Sequence, residues 1–347
     1  MSPDALLEIL TNRQALDPAA AGAMAALLLD PSADVAIKAN LLRALSAKGE
    51  TALEIAAFVR AFLVPAVRPP LDLAALDRPA IDICGTGGDQ LNLFNVSTTA
   101  MFVVAACGVA VVKHGNRGIT SKSGGADVLE ALGIRIDLPP PQFAECVQRH
   151  GAAFMLAPQY HPAFAAVAPV RKLLAMEGTR TIFNIIGPLL NPLQPLYQLA
   201  GVFDPALPLT YAGIFQSLGR TRAWAVHGTT ADGRGMDEVS TLGPTRIVIA
   251  EPSGLREETV TVAAPPASLA DLQGGGAGQN AALLTAILDG SDRGPKRDLV
   301  LANAAAALQV TGTATSWEEG QAKAAEAVDS GKALAVLHSL QGFGPRA

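Results

Sequence analysis

The segment Asp82-Ile83-Cys84-Gly85-Thr86-Gly87-Gly88-Asp89 runs an apolar strand pattern into three glycines, and Asn95-Val96-Ser97-Thr98 follows with small polar residues at the start of a helical pattern. After another apolar run stands a cationic glycine turn, Lys113-His114-Gly115-Asn116-Arg117. Glycines let the backbone approach an anion and aim successive N–H groups at it, and the helix that follows adds its free amides and positive dipole end. Lys113 and Arg117 supply full charge where amides supply partial charge. Either loop alone is an ordinary tight turn after a strand. Together, in a parallel sheet, both open at the carboxyl edge where α/β ligands bind, and the chemistry they suit is the holding of phosphates.

Other residues acquire a use from that reading. Asp237-Glu238 lies in a loop after Gly233 and Gly235. Adjacent loop carboxylates are most often solvated surface. A substrate with several phosphates, however, is usually held with Mg2+, which takes oxygens from one or two carboxylates, a hydroxyl and the phosphates themselves. Ser97 offers the hydroxyl. His114 reads either as a neighbour of phosphate or wall for a planar ligand, or as a hydrogen-bonded structural histidine. Arg171 reads either as a guanidinium fork for a carboxylate or phosphate, or as a surface helix arginine. His150 and His338 fall on amphipathic helices and suit surface or packing roles; His227 ends a strand beside the site. Gly274 to Gly278 reads as a flexible loop, with Asn280 capping the next helix. Gln90 breaks the dinucleotide-binding glycine pattern, no Gly-Lys-Ser or Gly-Lys-Thr loop or Gly-x-Ser-x-Gly elbow occurs, and no His or Cys falls at zinc spacing.

The elements that must position these residues divide at a proline-rich joint from Pro65 to Pro79. Before it, helices are expected: Asp17-Pro18 and Asp30-Pro31 are start signals, Gly49 is a stop, and Thr51 opens a further helix. After it, strand patterns at Ala80 to Cys84, Val109 to Val112, Ala153 to Leu156, Gln198 to Phe203, Ala223 to Val226 and Arg246 to Ala250 alternate with helical ones. Such alternation implies a largely parallel sheet flanked by helices. The stretch from His161 to Leu174 looks helical, and the apolar run from Ile182 to Pro192 is interrupted by Gly-Pro and Asn-Pro; both segments are candidates to rejoin the N-terminal helices.

Composition sets the outer bounds. At 347 residues and 50% hydrophobic content the chain can build a large core or two domains. A formal charge of −5 and 5% aromatic residues disfavour a general nucleic-acid or anionic-membrane binder. No apolar run approaches the roughly 20 residues that cross a bilayer, and no basic region precedes an apolar stretch at the N-terminus, so neither a membrane span nor a secretory leader is expected. Cys84, Cys107 and Cys146 are odd in number and far apart, as suits reduced thiols of a cytoplasmic protein.

The motifs above, together with Ser121-Lys122-Ser123-Gly124, Arg180-Thr181-Ile182-Phe183-Asn184 and Gly187-Pro188, closely resemble those of the anthranilate phosphoribosyltransferases of tryptophan biosynthesis, in order and over nearly the whole chain. The resemblance implies a small all-helical domain, residues 1–70 rejoined by about 162–190, and a large α/β domain with a mainly parallel sheet, residues 78–161 and 191–347. It implies a homodimer formed through the helical domains. It also implies transfer of the 5-phosphoribosyl group from phosphoribosyl pyrophosphate to the amine of anthranilate, with Mg2+, two ions, held by Ser97, Asp237 and Glu238. Phosphoribosyl pyrophosphate is then expected over Gly85, Gly88, Asp89, Leu93, Asn95, Val96, Ser97 and Thr98, under the loop Lys113, His114, Gly115, Asn116, Arg117, Gly118, Ile119, Thr120 and Ser121, and beside Gly125. Anthranilate is expected at Gly85, His114, Asn116, His161, Arg171, Gly187 and Pro188.

The chain departs from the family pattern at Leu93, where a hydroxyl is usual, at Gly118 and Gly125, where serines are frequent, and in the longer stretch Lys172 to Thr179. Two rivals share the architecture. Pyrimidine nucleoside phosphorylases usually carry Lys-His-Ser-Thr-Gly-Gly, which this chain lacks. A non-enzymatic nucleic-acid-binding relative would show a basic surface and a decayed metal site.

Overall fold

The computed structural model describes residues 1–118 and 122–344; Ile119, Thr120 and Ser121 therefore lie outside the described residues. Helices α1 (Pro3–Thr11), α2 (Pro18–Leu29), α3 (Val35–Lys48) and α4 (Ala52–Leu63) open the chain. Asp17 caps α2, accepting from the Ala20 N–H at 2.8 Å with Pro18 in the first turn. Gly49 ends α3 at φ 85°, where a side chain would be strained. The expected helix start at Asp30-Pro31 is a turn instead. Asp30 ends α2 and takes the Ser32 N–H at 2.8 Å and hydroxyl at 2.7 Å, while Asp34 caps α3. An aspartate side chain serves a turn as readily as a helix start, and both leave the same signature along a chain.

One buried ion pair ties these helices together. Glu54, in a capping box with Thr51, accepts from Lys48 Nζ at 2.7 Å, from the Leu16 N–H at 2.8 Å and from the Thr51 N–H at 2.9 Å. Burial pushes its carboxyl up, but these donors outweigh burial and hold it below its ordinary value. Glu54→Ala leaves the Lys48 ammonium, 4% exposed, without its ion-pair partner and with only the Gly49 carbonyl to bond, and is expected to cost about 3 kcal/mol or more. Urea unfolding checks it. Because the folded pKa is depressed, this contribution is present at neutral pH and fades as acid protonates Glu54.

Beyond the proline joint come β1 (Ala80–Gly85), α5 (Val96–Ala106), β2 (Ala110–Gly115), α6 (Gly125–Ala131), α7 (Pro140–His150) and β3 (Ala152–Leu156). Next are α8 (Ala157–Tyr160), a 3-10 turn at Pro162–Val167, α9 (Ala168–Met176), and 3-10 turns at Ile182–Asn184 and Gly187–Leu189. The run expected to be helical from His161 to Leu174 is thus broken, and α9 is its regular part. The chain continues through β4 (Tyr197–Gly201), α10 (Leu207–Ser217), β5 (Arg222–Thr229), β6 (Gly235–Met236), β7 (Thr245–Glu251) and β8 (Gly254–Val260). It ends in α11 (Leu269–Leu272), α12 (Ala277–Leu288), α13 (Pro295–Thr311), α14 (Trp317–Asp329) and α15 (Lys332–Gln341).

The strands form one sheet in the order β3-β2-β1-β4-β5-β7-β8, with β6 also on β5. Pairing is parallel from β3 to β5 and antiparallel at β5–β7, β7–β8 and β5–β6. The fold is therefore α/β with a mostly parallel mixed sheet. Edge strand β8 escaped the sequence reading because Arg256, Glu257 and Glu258 mask any apolar alternation, and such charges protect an edge. Register places Gly85 opposite Gly201 and Gly115 opposite Leu156, so both glycine turns open at one carboxyl edge.

Two apolar cores flank the sheet. One gathers α5, α13 and β1 to β3; the other joins α1 to α4 with Val170, Leu174, Phe183 and Leu189, and with α10 and the facing side of β4, β5 and β7. Among the described residues no helix is long and apolar enough to cross a membrane.

Candidate active site

The glycine loop and the two acids meet at the end of β1. Gly87, at φ 67°, donates its N–H to Asp237 Oδ2 at 2.7 Å. A Cβ on Gly85 would stand 2.3 Å from that same oxygen, and one on Gly201 would stand 1.6 Å from the Asp237 backbone carbonyl oxygen. Asp237 is thus seated on two strand-end glycines. Gly201 is not among the residues singled out from sequence, though a glycine closing a strand is a known sign of close backbone approach.

Asp237 and Glu238 are recessed, not solvated. Burial and the charge of Asp89 push Asp237 up to about 7; burial and then Asp237 itself push Glu238 well above its ordinary value, with Lys113 partly offsetting. Lys113 is buried, donating to Ser97 Oγ at 3.1 Å and to the Ile83 carbonyl. Among the described residues no three His, Cys, Asp or Glu side chains form a ready-made metal cluster. Yet two carboxylates held at a desolvation cost beside a third, with a hydroxyl next to them, form a hard-oxygen set that a divalent cation would relieve. The residues fit Mg2+.

The second loop sits against α6. A Cβ on Gly124 would fall 2.4 Å from the Gly118 nitrogen and 2.8 Å from the Asn116 carbonyl oxygen, so loop 116–118 crosses directly over this glycine. Asp127, missed from sequence, accepts the N–H groups of Gly118 and Gly124, each at 2.8 Å. The Arg117 guanidinium pairs with Glu130 at 2.6 Å and Asp127 at 3.3 Å, which turns it toward α6. Asn116 is exposed, and its Oδ1 accepts from the Arg117 N–H at 2.8 Å.

Some expected phosphate contacts are committed elsewhere. Asn95 ties loops together, accepting from Asn280 Nδ2 at 2.8 Å and donating to the Ser123 carbonyl at 3.2 Å. Asn280 therefore lies inside α12 and does not cap it. The stretch from Gly274, expected to be flexible, is packed: Gly274 donates to the Asn92 carbonyl at 2.9 Å, and its missing Cβ leaves room for Phe94. Leu93 forms a β-bridge with Gln273. Val96 and Thr98 are buried, Ser97 half-buried, and Asp89 accepts from the Leu91 N–H at 3.1 Å. Gly125 has a physical reason to lack a side chain, since a Cβ would lie 2.9 Å from Thr98 Oγ1.

A chain of rings leads away from the second loop. His114 meets His161 edge-on at 5.2 Å, His161 meets Phe164 at 5.4 Å, Phe164 meets Phe183 at 6.0 Å, and the Arg171 guanidinium stands over Phe183 at 5.6 Å. Burial drives His114 down to about 3, so it is neutral, and its Nε2 has no partner. His161 Nε2 lies 2.7 Å from the Leu190 carbonyl and so carries the proton, leaving Nδ1 an unpartnered acceptor. Gly187 is open to added volume, while the Pro188 carbonyl is held by Gln198 Nε2. Beneath, buried Asp82 accepts from Asn191 Nδ2 at 2.9 Å and from the His114 N–H at 3.3 Å, fixing the Asn191 turn to β2. Asp82, Asn191 and Gln198 were not identified from sequence, because a buried polar residue within an apolar strand or turn carries no local signal.

Comparison with known proteins agrees with this arrangement. Residues 77–334 match the family described as "Glycosyl transferase family, a/b domain". The anthranilate phosphoribosyltransferase of Moorella thermoacetica is 45% identical over 305 residues, 87% of this chain and 86% of its own. The crystal structure of the Thermus thermophilus anthranilate phosphoribosyltransferase superposes with a TM-score of 0.87 at 38% identity, covering 97% of this chain and 98% of that one. The Saccharomyces cerevisiae enzyme, solved with PRPP and Mg and also with 4-fluoroanthranilate, gives 0.83 at 27% identity over 98% of this chain and 97 to 98% of its own. A family model matching residues 77–334 and relatives of this identity over most of both chains place the chain in the anthranilate phosphoribosyltransferase family.

Proposed function

We propose that this protein transfers the 5-phosphoribosyl group of phosphoribosyl pyrophosphate to the amine of anthranilate, releasing pyrophosphate, in tryptophan biosynthesis. The observation that carries the reading is the seating of Asp237 on Gly85, Gly87 and Gly201, which sets an acid pair beside a loop of backbone donors. Amides at Gly88 and the start of α5 face the diphosphate, the Gly87 N–H being taken by Asp237, and Ser97, Asp237 and Glu238 would hold Mg2+, two ions in the full complex. Mg2+ supplies charge neutralisation for the departing pyrophosphate. The ribose left behind develops oxocarbenium character, and the neutral aromatic amine attacks its anomeric carbon as the C–O bond breaks.

Positioning carries much of the rate, since an aniline nitrogen at neutral pH needs no strong base to become a nucleophile. The rings of His114 and His161 wall the anthranilate path with Gly187 and Pro188, and Arg171 and Asn116 orient its carboxylate. The unpaired Nδ1 of His161 is an acceptor in that path. Lys113, beneath Ser97, offsets the charge of the acid pair. The remaining described loop residues, from Gly115 to Gly118, cover the ribose. The helices before residue 70, with about 162–190, form a domain that closes on the rest of the chain. Exposed Val35, Ile37 and Met176 on this part support a homodimer through it. The setting is cytoplasmic.

The direct test is loss of anthranilate fluorescence with phosphoribosyl pyrophosphate and Mg2+, abolished by chelator; no consumption overturns the reading. Arg171→Ala is expected to raise the KM for anthranilate by about tenfold or more, the worth of a charged hydrogen bond, with little change for phosphoribosyl pyrophosphate. Equal losses for both substrates in steady-state kinetics would move Arg171 out of the carboxylate role.

A further inference from the structure

Two arginines stand over phenylalanine rings in this cleft, and only one is used above. Arg180 lies 5.3 Å over Phe203, as Arg171 lies over Phe183. The two rings belong to different neighbourhoods. Phe183 continues through Phe164 to the histidines. Phe203 instead faces the glycine loop: its Cε1 stands 3.3 Å from where a Gly88 Cβ would be, and its carbonyl oxygen fills the place of a Gly235 Cβ at 2.2 Å, two residues before Asp237. Phe203 is therefore wedged between the loop of backbone donors and the strand that delivers the acid pair.

Arg180 reaches this ring from the helical side. Its carbonyl accepts from Ser46 Oγ of α3 at 2.8 Å, which anchors the backbone there while the guanidinium extends over Phe203. Among the described residues no carboxylate pairs with it. A cation of fixed fork geometry, stacked and left without an anion, is prepared for an anionic ligand.

We infer that Arg180 is a second cation of the phosphate side, binding the diphosphate of phosphoribosyl pyrophosphate from the helical part of the molecule and remaining with the pyrophosphate that leaves. Arg171 and Arg180 then divide the two anionic ligands between them. The inference rests on the reaction assigned above. It also explains why a residue anchored to α3 should bear on the glycine loop: its charge links ligand binding to closure of the two parts.

Isothermal titration of the full-length protein with phosphoribosyl pyrophosphate and Mg2+ tests it, together with inhibition by inorganic pyrophosphate. Arg180→Ala is expected to weaken both by about tenfold or more, with the KM for anthranilate within about twofold; Arg180→Lys, which keeps charge but loses the fork, falls between. The side chain is exposed, so the variants fold; unchanged circular dichroism verifies this. A protein that turns over normally, but whose Arg180→Ala form binds both phosphate ligands within about twofold of the parent, overturns the inference and leaves the reaction standing. An effect confined to anthranilate also overturns it. A parent that neither binds phosphoribosyl pyrophosphate nor consumes anthranilate overturns the reaction itself, and the inference with it.

Discussion

Asp237→Asn combined with Glu238→Gln is expected to lower turnover by about a thousandfold or more, while the metal-free variant melts no lower than the parent at pH 8. The two halves of this result have one cause. The acids are recessed and crowd Asp89, so each is held above its ordinary value by burial first and by neighbouring charge second. Between pH 3.8, the ordinary value of Asp237, and about 7, its value here, the folded protein keeps a proton that the unfolded chain has lost. The folded state then binds more protons, and stability falls as pH rises through that window. Amides do not titrate, so the variant escapes the fall and its advantage grows from pH 5 to pH 8.

Adding Mg2+ should reverse the order at pH 8 by stabilising the parent and not the variant, since binding to the folded state alone raises its melting temperature. Thermal melts at the two pH values, with Mg2+ and with chelator, check each part. Normal turnover in the variant, or a parent whose melting ignores both pH and Mg2+, would remove the acid pair from the site. Surface carboxylates would behave otherwise: their loss moves stability and turnover very little.

This recessed state marks the limit of what is legible in a sequence alone. The glycine loop was legible because its chemistry is local: Gly85, Gly87 and Gly88 follow a strand pattern and precede Ser97 at a helix start. The parallel part of the sheet was legible for the same reason, through alternation. Asp237-Glu238 was legible only as a pair with a possible use, because its burial is created by Gly201, which is distant in sequence and whose importance lies in an absent side chain. Asp30-Pro31 misled because a turn and a cap share one signature. Gly274 misled because its looseness in sequence is what lets Phe94 pack against it. Asp127, which holds the second loop by two amides, looks in sequence like any helix-start acid.

Gly201→Ala should therefore damage activity severely, though less than loss of the acids, through a smaller chemical change. The new methyl carbon would be built 1.6 Å from the Asp237 carbonyl oxygen and 2.4 Å from its carbonyl carbon. These are backbone atoms, so no rotamer change can relieve the overlap; the loop must move by more than an ångström. Movement breaks the 2.7 Å bond from the Gly87 N–H to Asp237 Oδ2, and it carries Glu238 away from Ser97. A displacement of that size at a charge-organising site is expected to reduce kcat/KM for phosphoribosyl pyrophosphate by about a hundredfold or more. Gly22→Ala is the matched control: Gly22 lies inside α2 with no heavy atom within 4 Å of an added Cβ, so there the methyl group should stabilise the helix by roughly 0.5–1 kcal/mol and leave kinetics alone. Raising Mg2+ should recover part of the Gly201→Ala loss, since the acids remain but are misplaced, whereas the Asn/Gln variant should recover none. Steady-state kinetics over a Mg2+ series separates the two. A Gly201→Ala protein with parental kcat/KM would mean that the loop holding Asp237 is free to shift without consequence, and the site would have to be organised by something other than its glycine seat.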